Sequence, residues 1–326
     1  MGRLITSAEI LEAATRVAPY VRHTDLVISE PMSERSGATI AIKAEHQQHT
    51  GSFKLRGALN KILTLDGAGP TVGVTAASSG NHGIAVATAA AIKGLPCTVY
   101  LPSRVPPTKL AAIRRAGAEI VVVDSTDAAV AEQAARAAAT TTGTVYVSPY
   151  NDAHVIAGQG TIAVEIGQDA RAAGLDRIDA VVVAVGGGGL ISGIATWFKS
   201  WSPSTRVIGA SPSNDHAMVS TVAPRADRGA RLTTWSDATA GGVEADAITI
   251  PLCRTLVDAW VTVGEPEIGA AVVSMLDDHH QLIEGAAGVA LAAAQRHARS
   301  HPSSAIVAVS CGANISSSTL RQMIDG

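Results

Sequence analysis

Lys54 is the residue whose type and surroundings most directly suggest covalent chemistry. It stands beside Phe53 in residues 50–58, a polar stretch with one lysine and one aromatic side chain. A lysine that the protein encloses loses hydration and can become a neutral amine, ready to form an imine with an aldehyde. Because most lysines are hydrated surface charges, this stretch predicts a catalytic lysine only if other segments support it.

A second polar segment follows an apolar run and opens a predicted helix. It consists of Ser78, Ser79, Gly80, Asn81 and His82. Their hydroxyls, amide and free backbone N–H groups suit a carboxylate or a ring oxygen. Since one serine is enough to cap a helix, we expect this segment to bind a ligand, with simple helix capping as the alternative.

Four consecutive glycines form the third segment. Gly186, Gly187, Gly188 and Gly189 lie between a continuous apolar strand and a predicted helix. Without Cβ atoms, their backbone N–H groups can close around an anion at the helix N-terminus. We therefore expect a phosphate group there, the alternative being a tight turn that binds nothing.

The glycines do not form the dinucleotide-binding motif G-x-G-x-x-G, because Ile191 and Ser192 occupy the place of its final glycine. After the next strand, an NAD-dependent enzyme would present an acidic residue to the ribose. This sequence has Ser211 instead. An NAD-dependent oxidoreductase is therefore a disfavoured alternative.

The composition indicates which scaffold positions these segments. The chain has 326 residues, of which 47% are hydrophobic and only 3% aromatic, so alanine, valine, isoleucine and leucine must build the core. Apolar runs rich in β-branched residues alternate with alanine-rich stretches of helical period, which is typical of an α/β protein with a parallel sheet. A chain of this length predicts two domains.

The three polar segments follow predicted strands, at the sheet edge where open α/β sheets bind ligands. The predicted strands are residues 40–43, 72–76, 97–101, 119–123, 145–148, 180–185, 206–210, 260–263 and 305–309. Predicted helices include residues 81–92, 109–115, 128–139, 190–199 and 288–299. Thr6 and Glu9 form the capping box of a further helix.

Charge and cysteine content exclude several classes of function. The formal net charge of −3 provides no basic surface for nucleic acid or an anionic membrane. The three cysteines are far apart, which argues against a disulfide framework or a zinc site. Charged residues near the start, such as Arg3 and Glu9, leave no signal-peptide core or membrane span there. We expect a cytoplasmic enzyme with a small-molecule substrate.

Together the segments resemble the fold type II family of pyridoxal-phosphate enzymes, in particular the branch of threonine dehydratases, serine dehydratases and serine racemases. The likeness covers nearly the whole chain through the ordered motifs HTGSFK (49–54), SSGNHG (78–83), VIAGQGT (155–161), GGGG (186–189), EGAAG (284–288) and SCGAN (310–314).

The resemblance implies an α/β fold like that of tryptophan synthase β, with two open, twisted, mainly parallel sheets flanked by helices. A small domain of residues 73–151 would be inserted in a large pyridoxal-phosphate-binding domain of residues 1–72 and 152–326.

The resemblance also assigns a cofactor site. Lys54 would hold pyridoxal 5'-phosphate covalently, and Phe53 would lie against its ring. Asn81 would bond the ring hydroxyl, Ser310 would meet the pyridine nitrogen, and the four glycines would hold the phosphate. Glu284 would lie near the cofactor, although it could merely favour the dipole of the helix that follows.

The implied reaction is a β-elimination that converts a 3-hydroxy amino acid such as threonine, serine or 3-hydroxyaspartate to a 2-oxo acid and ammonia. Lys54, released by the substrate amine, would abstract the α-proton. A neutral Ser310 in place of an aspartate favours prompt elimination over transamination. Residues 240–244 resemble dehydratases of bulkier or acidic substrates, including the hydroxyectoine-utilisation branch.

The substrate carboxylate would be held by the second segment, namely by Ser78, Ser79, Gly80 and His82. Gly242 would form a backbone wall opposite. Tyr150 would line the substrate pocket or, alternatively, pack at the domain hinge.

Ser79 keeps a second activity open. In the racemase branch a serine at this place acts as acid or base on the face opposite the lysine, whereas many dehydratases have alanine there. Serine or aspartate racemisation is therefore the alternative activity, and carboxylate binding or helix capping the alternative role of Ser79. A catalytically inactive binding protein of the same fold is a further alternative, against which the retained Lys54 argues.

We expect no divalent metal. Relatives that bind one place carboxylates where this sequence has Ser211 and Ala217, and Asp215 alone is a poor site for a cation that needs several oxygen ligands. A monovalent ion on carbonyl groups stays open. We also expect a homo-oligomer, either a dimer or a tetramer.

Overall fold

Two β-sheets with helices packed against them form the protein. The structure is a computed structural model that describes residues 5–67, 73–105, 107–223 and 232–325, apart from the Thr108 side chain. The strands in these ranges are β1 (Leu26–Ile28), β2 (Thr39–Lys43), β3 (Val74–Ala77), β4 (Cys97–Leu101), β5 (Glu119–Val122), β6 (Val145–Tyr146), β7 (Ala180–Ala184), β8 (Arg206–Pro212), β9 (Ala259–Val263) and β10 (Ala305–Val309).

The helices in the same ranges surround the sheets. They are α1 (Ser7–Val17), α2 (Glu30–Ser36), α3 (Lys54–Leu63), α4 (Asn81–Lys93), α5 (Pro107–Arg115), α6 (Ala128–Thr142), α7 (Ala153–Asp169), α8 (Gly189–Trp201), α9 (Ala217–Val222), α10 (Thr249–Leu256), α11 (Glu265–His279), α12 (Gly285–Ser300) and α13 (Ser317–Asp325). Within the described ranges, no helix combines the length and the apolar character that crossing a membrane would need.

The larger sheet has six strands in the order β1-β2-β10-β7-β8-β9, and the smaller has four in the order β5-β4-β3-β6. β1 runs antiparallel to β2, whereas all the other pairs are parallel. The predicted α/β fold with two mainly parallel sheets is confirmed.

Most of the predicted strands are present, with small differences at their ends. The strand predicted over residues 145–148 ends at Tyr146, and the one predicted over 206–210 continues to Pro212. β3 begins at Val74, and Val72, where the prediction placed its start, lies outside the described residues. The prediction omitted β1, an edge strand of three residues whose central Val27 is exposed. The capping box of Thr6 and Glu9 is present.

Each sheet has its own hydrophobic core. The core around the smaller sheet also takes Leu55, Leu59 and Ile62 from α3, which precedes the predicted small domain in the sequence. The division into residues 1–72 with 152–326 and residues 73–151 therefore stays a prediction, and its first boundary lies at residues outside the described ranges.

Helix α7 lies in the interior and brings α3 and α8 close to its backbone. All of its residues from Val155 to Ile166 are buried. A Cβ atom at Gly158 would lie 2.6 Å from the Arg56 carbonyl oxygen, and one at Gly193 would lie 2.4 Å from the Ile156 carbonyl oxygen. Glycine is thus required where these three helices touch.

A buried network of charges connects α3 to the rest of the larger core. The fully buried guanidinium of Arg56 donates to Glu45 at 2.7 and 2.8 Å and to Glu165 at 2.6 and 2.8 Å. Lys43 Nζ donates to the same Glu165 carboxylate at 2.6 Å. Since Arg56 lies two residues after Lys54, this network fixes the first turn of α3.

We predict that replacing Arg56 with leucine destabilises the protein by about 3–5 kcal/mol, because Glu45 and Glu165 would keep buried charges without a partner. The matched control is Arg177→Leu, which removes an arginine that is 70% exposed from its pair with Asp179 and should cost less than about 1 kcal/mol. Urea unfolding of both variants measures the difference. Equal midpoints for the two variants would contradict the importance of the buried network.

Candidate active site

The predicted site residues follow strands of both sheets. Ser78 comes directly after β3, Gly186 lies two residues beyond the end of β7, and Ser310 directly follows β10. Since parallel strands end at the same edge of a sheet, these segments can meet. Hydrogen bonds between Asn81, Glu284 and Asn314 show that the residues after β3 and β10 do meet.

Lys54 is the first residue of α3 and is partly buried. Its Nζ donates to the carbonyl oxygen of Pro149 at 2.9 Å and lies 5.2 Å from the centre of the Phe53 ring. Burial lowers the pKa of Lys54 to about 8, although the nearby Glu284 opposes this shift. The fraction of neutral, nucleophilic amine at physiological pH is therefore much larger than for a hydrated lysine.

The start of α3 is held by a side chain from another helix. Phe53, the N-cap residue, makes no side-chain capping bond, and instead the Gly57 N–H donates to Gln159 Oε1 from α7 at 3.1 Å. A Cβ atom at Gly57 would lie only 2.2 Å from Gln159 Nε2. Gln159 therefore caps the helix that carries Lys54, and only glycine allows it to approach.

Asn81 and Glu284 contact each other directly. Asn81 Nδ2 donates to the two Glu284 carboxylate oxygens at 2.8 and 3.1 Å, and the Asn314 N–H donates to Glu284 Oε2 at 3.2 Å. Burial raises the pKa of Glu284 to about 7, and the bonds from Asn81 and Asn314 oppose this rise. Glu284 thus has specific polar partners beyond the dipole of α12.

His82 is buried on the first turn of α4, and its Nε2 donates to the Val147 carbonyl oxygen at 2.8 Å. Burial and the neighbouring Lys54 charge lower the pKa of His82 to about 3. The imidazole is therefore neutral at physiological pH. It can contribute to carboxylate binding only as a neutral group, since Nε2 already donates to the main chain.

The loop before α4 is open on one side. Ser78 and Ser79 are partly buried, and Ser78 Oγ accepts a bond from the Gly80 N–H at 3.2 Å. A Cβ atom at Gly80 would meet nothing within 4 Å. The loop therefore leaves space for a ligand, as the prediction for Ser78, Ser79 and Gly80 requires.

The four glycines form a turn that is in close contact with other parts of the chain. A Cβ atom at Gly187 would lie 2.3 Å from the Tyr150 ring, and one at Gly186 would lie 3.0 Å from the Thr239 main chain. Gly188 has a φ of +85°, which favours glycine, and precedes the first turn of α8. Packing and backbone conformation therefore explain the glycines in part, in addition to the expected anion.

Tyr150 joins this turn to the loop that contains Gly242. Its ring lies on Gly187, and its hydroxyl oxygen accepts a bond from the Glu244 N–H at 3.0 Å. Burial raises the pKa of Tyr150 to about 12, so the hydroxyl stays protonated. Tyr150 thus packs between segments, and Gly242 lies exposed on the same loop, two residues before Glu244.

Ser310 provides a test of whether the site fits the expected cofactor. The residue is fully buried, and its Oγ has no hydrogen-bond partner among the described residues. A buried hydroxyl normally has a partner, so this oxygen fits a ligand atom such as a pyridine nitrogen. The reactive amine of Lys54 and the turn of glycines at a helix N-terminus fit the aldehyde and the phosphate.

The region examined for a metal has a different character. The buried Ser211 hydroxyl donates to the Val185 carbonyl oxygen at 3.0 Å, and Asp215 Oδ2 accepts from the Gly241 N–H at 2.9 Å. Over the described ranges there is no group of three or more His, Cys, Asp or Glu residues that could hold a metal ion. The expectation of no divalent metal stays a prediction.

Sequence reasoning did not assign roles to three residues that shape this site. They are Gln159, which caps α3, Asn314, which bonds Asn81 and Glu284, and Pro149, whose carbonyl oxygen accepts from Lys54. Gln159 and Asn314 lie within the motifs VIAGQGT and SCGAN, so the motifs themselves were the available signal.

We predict that the Lys54 amine of the protein without cofactor becomes reactive at lower pH than an ordinary lysine. Since burial lowers its pKa, the rate of reductive methylation should rise with a midpoint near pH 8, measured by mass spectrometry of the Lys54 peptide. In Glu284→Gln the midpoint should fall further, because a negative charge that favours the ammonium form is lost. A midpoint at the ordinary value of 10.5 would contradict the lowered pKa.

We predict that Gly187→Ala destabilises the protein by about 1–3 kcal/mol, because the new methyl group overlaps the Tyr150 ring. The control is Gly264→Ala, whose Cβ atom would lie 3.5 Å from its nearest neighbour and should change little. Urea unfolding compares the two. If the ring is the obstacle, Tyr150→Ala should cost less in the Gly187→Ala background than alone, and identical costs in both backgrounds would refute this contact.

The comparisons with known proteins agree with this geometry. The family model described as "Pyridoxal-phosphate dependent enzyme" matches residues 17–312. L-threonine ammonia-lyase of Thermotoga maritima is 40% identical over 291 residues, which cover 89% of this chain and 71% of that protein. Serine racemase of Arabidopsis thaliana is 37% identical over 298 residues, which cover 90% of this chain and 87% of that protein.

A solved structure supports the fold independently. Maize serine racemase is similar with a TM-score of 0.89 and 31% identity, covering 99% of this chain and 98% of that one. The predicted resemblance to fold type II enzymes of the threonine dehydratase and serine racemase branch is confirmed, and so is pyridoxal phosphate as the cofactor. The chain belongs to the family of pyridoxal-phosphate-dependent enzymes.

Proposed function

We propose that this enzyme eliminates water from a 3-hydroxy amino acid such as threonine, serine or 3-hydroxyaspartate, giving a 2-oxo acid and ammonia. The observation that carries the proposal is the Lys54 amine, whose pKa burial lowers to about 8 within a site that fits the cofactor. The similarity to an L-threonine ammonia-lyase across 89% of the chain supports the reaction class.

The proposed binding roles follow from the contacts of each residue. The N–H groups of Gly186, Gly187, Gly188 and Gly189 bind the phosphate. Phe53 lies against the ring, the Ser310 hydroxyl meets the ring nitrogen, and Asn81 donates to the ring oxygen beside Glu284. Pyridoxal phosphate, when bound, withdraws electrons from the substrate α-carbon and so makes the α-proton acidic.

The substrate is held by the open loop before α4. Ser78, Ser79 and the Gly80 N–H bind its carboxylate, with the neutral His82 beneath them and Tyr150 and Gly242 on the other side. The α4 N-terminus lies at this loop and favours an anion there. A carboxylate fixed in this way presents the α-proton to the lysine.

Lys54 performs the proton transfers. Its neutral Nζ accepts the α-proton and becomes an ammonium group, held near its position by the Pro149 carbonyl oxygen. The ammonium then returns a proton to the β-hydroxyl, which leaves as water when its bond to carbon breaks. The unsaturated amine that leaves the enzyme adds water and separates into the 2-oxo acid and ammonia.

Racemisation of serine or aspartate is the second candidate. Ser79 lies partly buried on the open loop, where its hydroxyl can exchange a proton with the face of the substrate opposite Lys54. The similarity to a serine racemase over 90% of the chain favours this candidate. The two activities differ in which bond breaks after the α-proton leaves.

The finer proposals rest on the sequence. We propose a cytoplasmic homo-oligomer, a dimer or a tetramer, without a divalent metal. Residues 240–244, which include Tyr150's partner Glu244, support a bulkier or acidic substrate such as that of the hydroxyectoine-utilisation branch.

The experiment is a substrate panel of L-serine, L-threonine, both 3-hydroxyaspartates and D-serine. We expect 2-oxo acid from at least one L-amino acid, faster than its mirror image appears on chiral chromatography. Faster formation of the mirror image would favour the racemase, and no turnover of any member would contradict the dehydratase.

Lys54→Ala serves as the control for the cofactor. It should abolish both activities and the labelling of that position by borohydride, because no amine remains to bind the aldehyde. Retained turnover in this variant would refute the role of Lys54.

A further inference from the structure

Asn314 makes more connections at the site than its exposed position requires. It follows β10 at the end of the SCGAN motif. Its Nδ2 donates to the Thr50 carbonyl oxygen at 2.9 Å and to Asn81 Oδ1 at 2.7 Å, and its main-chain N–H donates to Glu284 at 3.2 Å. One residue thus contacts the segment before Lys54, the start of α4 and the start of α12.

The orientation of the Asn314 amide is determined by its partners. The Thr50 carbonyl oxygen can only accept, so it must face the Asn314 NH₂ group. Since that group has two hydrogens, the second is available to Asn81 and is donated to its Oδ1. Asn314 therefore contacts Asn81 as a donor.

This contact determines which end of the Asn81 amide is free. With Oδ1 bound to Asn314, Nδ2 faces Glu284 and donates one hydrogen to its carboxylate. The second Nδ2 hydrogen remains for a ligand. In the reversed orientation, Asn81 would place its oxygen against the Glu284 carboxylate and present an acceptor together with its NH₂ group in different directions.

The segment before Lys54 is shaped by the same residue. Gly51 has a φ of +70°, and a Cβ atom there would lie 2.9 Å from Asn314 Oδ1. The Asn314 side chain therefore packs against the turn at Gly51 while it bonds Thr50. The positions of Asn81 and of the turn that leads to Lys54 are tied to each other through this side chain.

We propose that Asn314 is a positioning residue that keeps an N–H group of Asn81 directed at the cofactor's ring oxygen. The proposal rests on the proposed role of Asn81 as the partner of that oxygen. Asn314 acts through Asn81 and takes no part in the proton transfers. The group that Asn81 meets must accept a hydrogen bond, which a deprotonated ring oxygen does.

The test is Asn314→Asp, which keeps the size of the side chain but removes the amide donor. Pyridoxal phosphate should bind the variant without cofactor about tenfold more weakly, since one hydrogen bond that orders the site is lost. The visible absorbance of the bound cofactor should also shift. Titration of the cofactor, followed by absorbance, measures both quantities without an activity assay.

Two controls separate positioning from a general loss of structure. Asn60→Asp makes the same change at a buried asparagine that bonds Arg16 and the His154 carbonyl oxygen, so it should leave the cofactor affinity within about twofold. Asn314→Ala, which adds no charge, should weaken cofactor binding as Asn314→Asp does. Urea unfolding of each variant without cofactor verifies that the fold is retained.

A double-mutant cycle decides the result. If Asn314 acts through Asn81, adding Asn314→Asp to Asn81→Ala should weaken the cofactor affinity no further. Wild-type affinity and absorbance in Asn314→Asp, or full additivity in the cycle, would overturn the inference. Wild-type affinity in Asn81→Ala would instead contradict the proposed role of Asn81, which distinguishes the two failures.

Discussion

The buried ion network around Arg56 is the constraint on which the geometry of the site depends. Arg56 is the third residue of α3, and two carboxylates from different parts of the chain, Glu45 and Glu165, bind its guanidinium. Removing these charges from water is costly, so the arrangement is stable only when all partners are in place. Together with the Gln159 cap, the network leaves the first residue of α3, Lys54, little freedom to move.

Burial also sets the chemistry of the site, because it disfavours the charged form of every group there. It lowers the pKa of Lys54 and of His82, and it raises the pKa of Glu284 and of Cys311. The consequences differ with the starting value. Lys54 and Glu284 come to titrate near physiological pH, so they can exchange protons, whereas His82 and Cys311 become fixed in their neutral forms.

The sequence predicted the parts of the site that depend on residue type, such as Lys54, the four glycines and Ser310. It did not predict the roles of Gln159 and Asn314, because their partners are 102 and 233 positions away. It also attributed the glycines to an anion alone, while contact with the Tyr150 ring requires Gly187 as well. The omitted strand β1 has only three residues, too few for an alternating pattern to be visible.

The contacts between the two sheets show why the site needs the whole chain. Asn81 begins a helix of the smaller sheet, but its amide is oriented by Glu284 and Asn314, which follow elements of the larger one. Tyr150, which follows β6 of the smaller sheet, likewise packs on the glycine turn after β7 of the larger. A relative shift of the sheets would therefore separate the donors for the ring oxygen and the phosphate from Lys54. The relative position of the sheets thus controls whether the cofactor and substrate meet a complete set of partners.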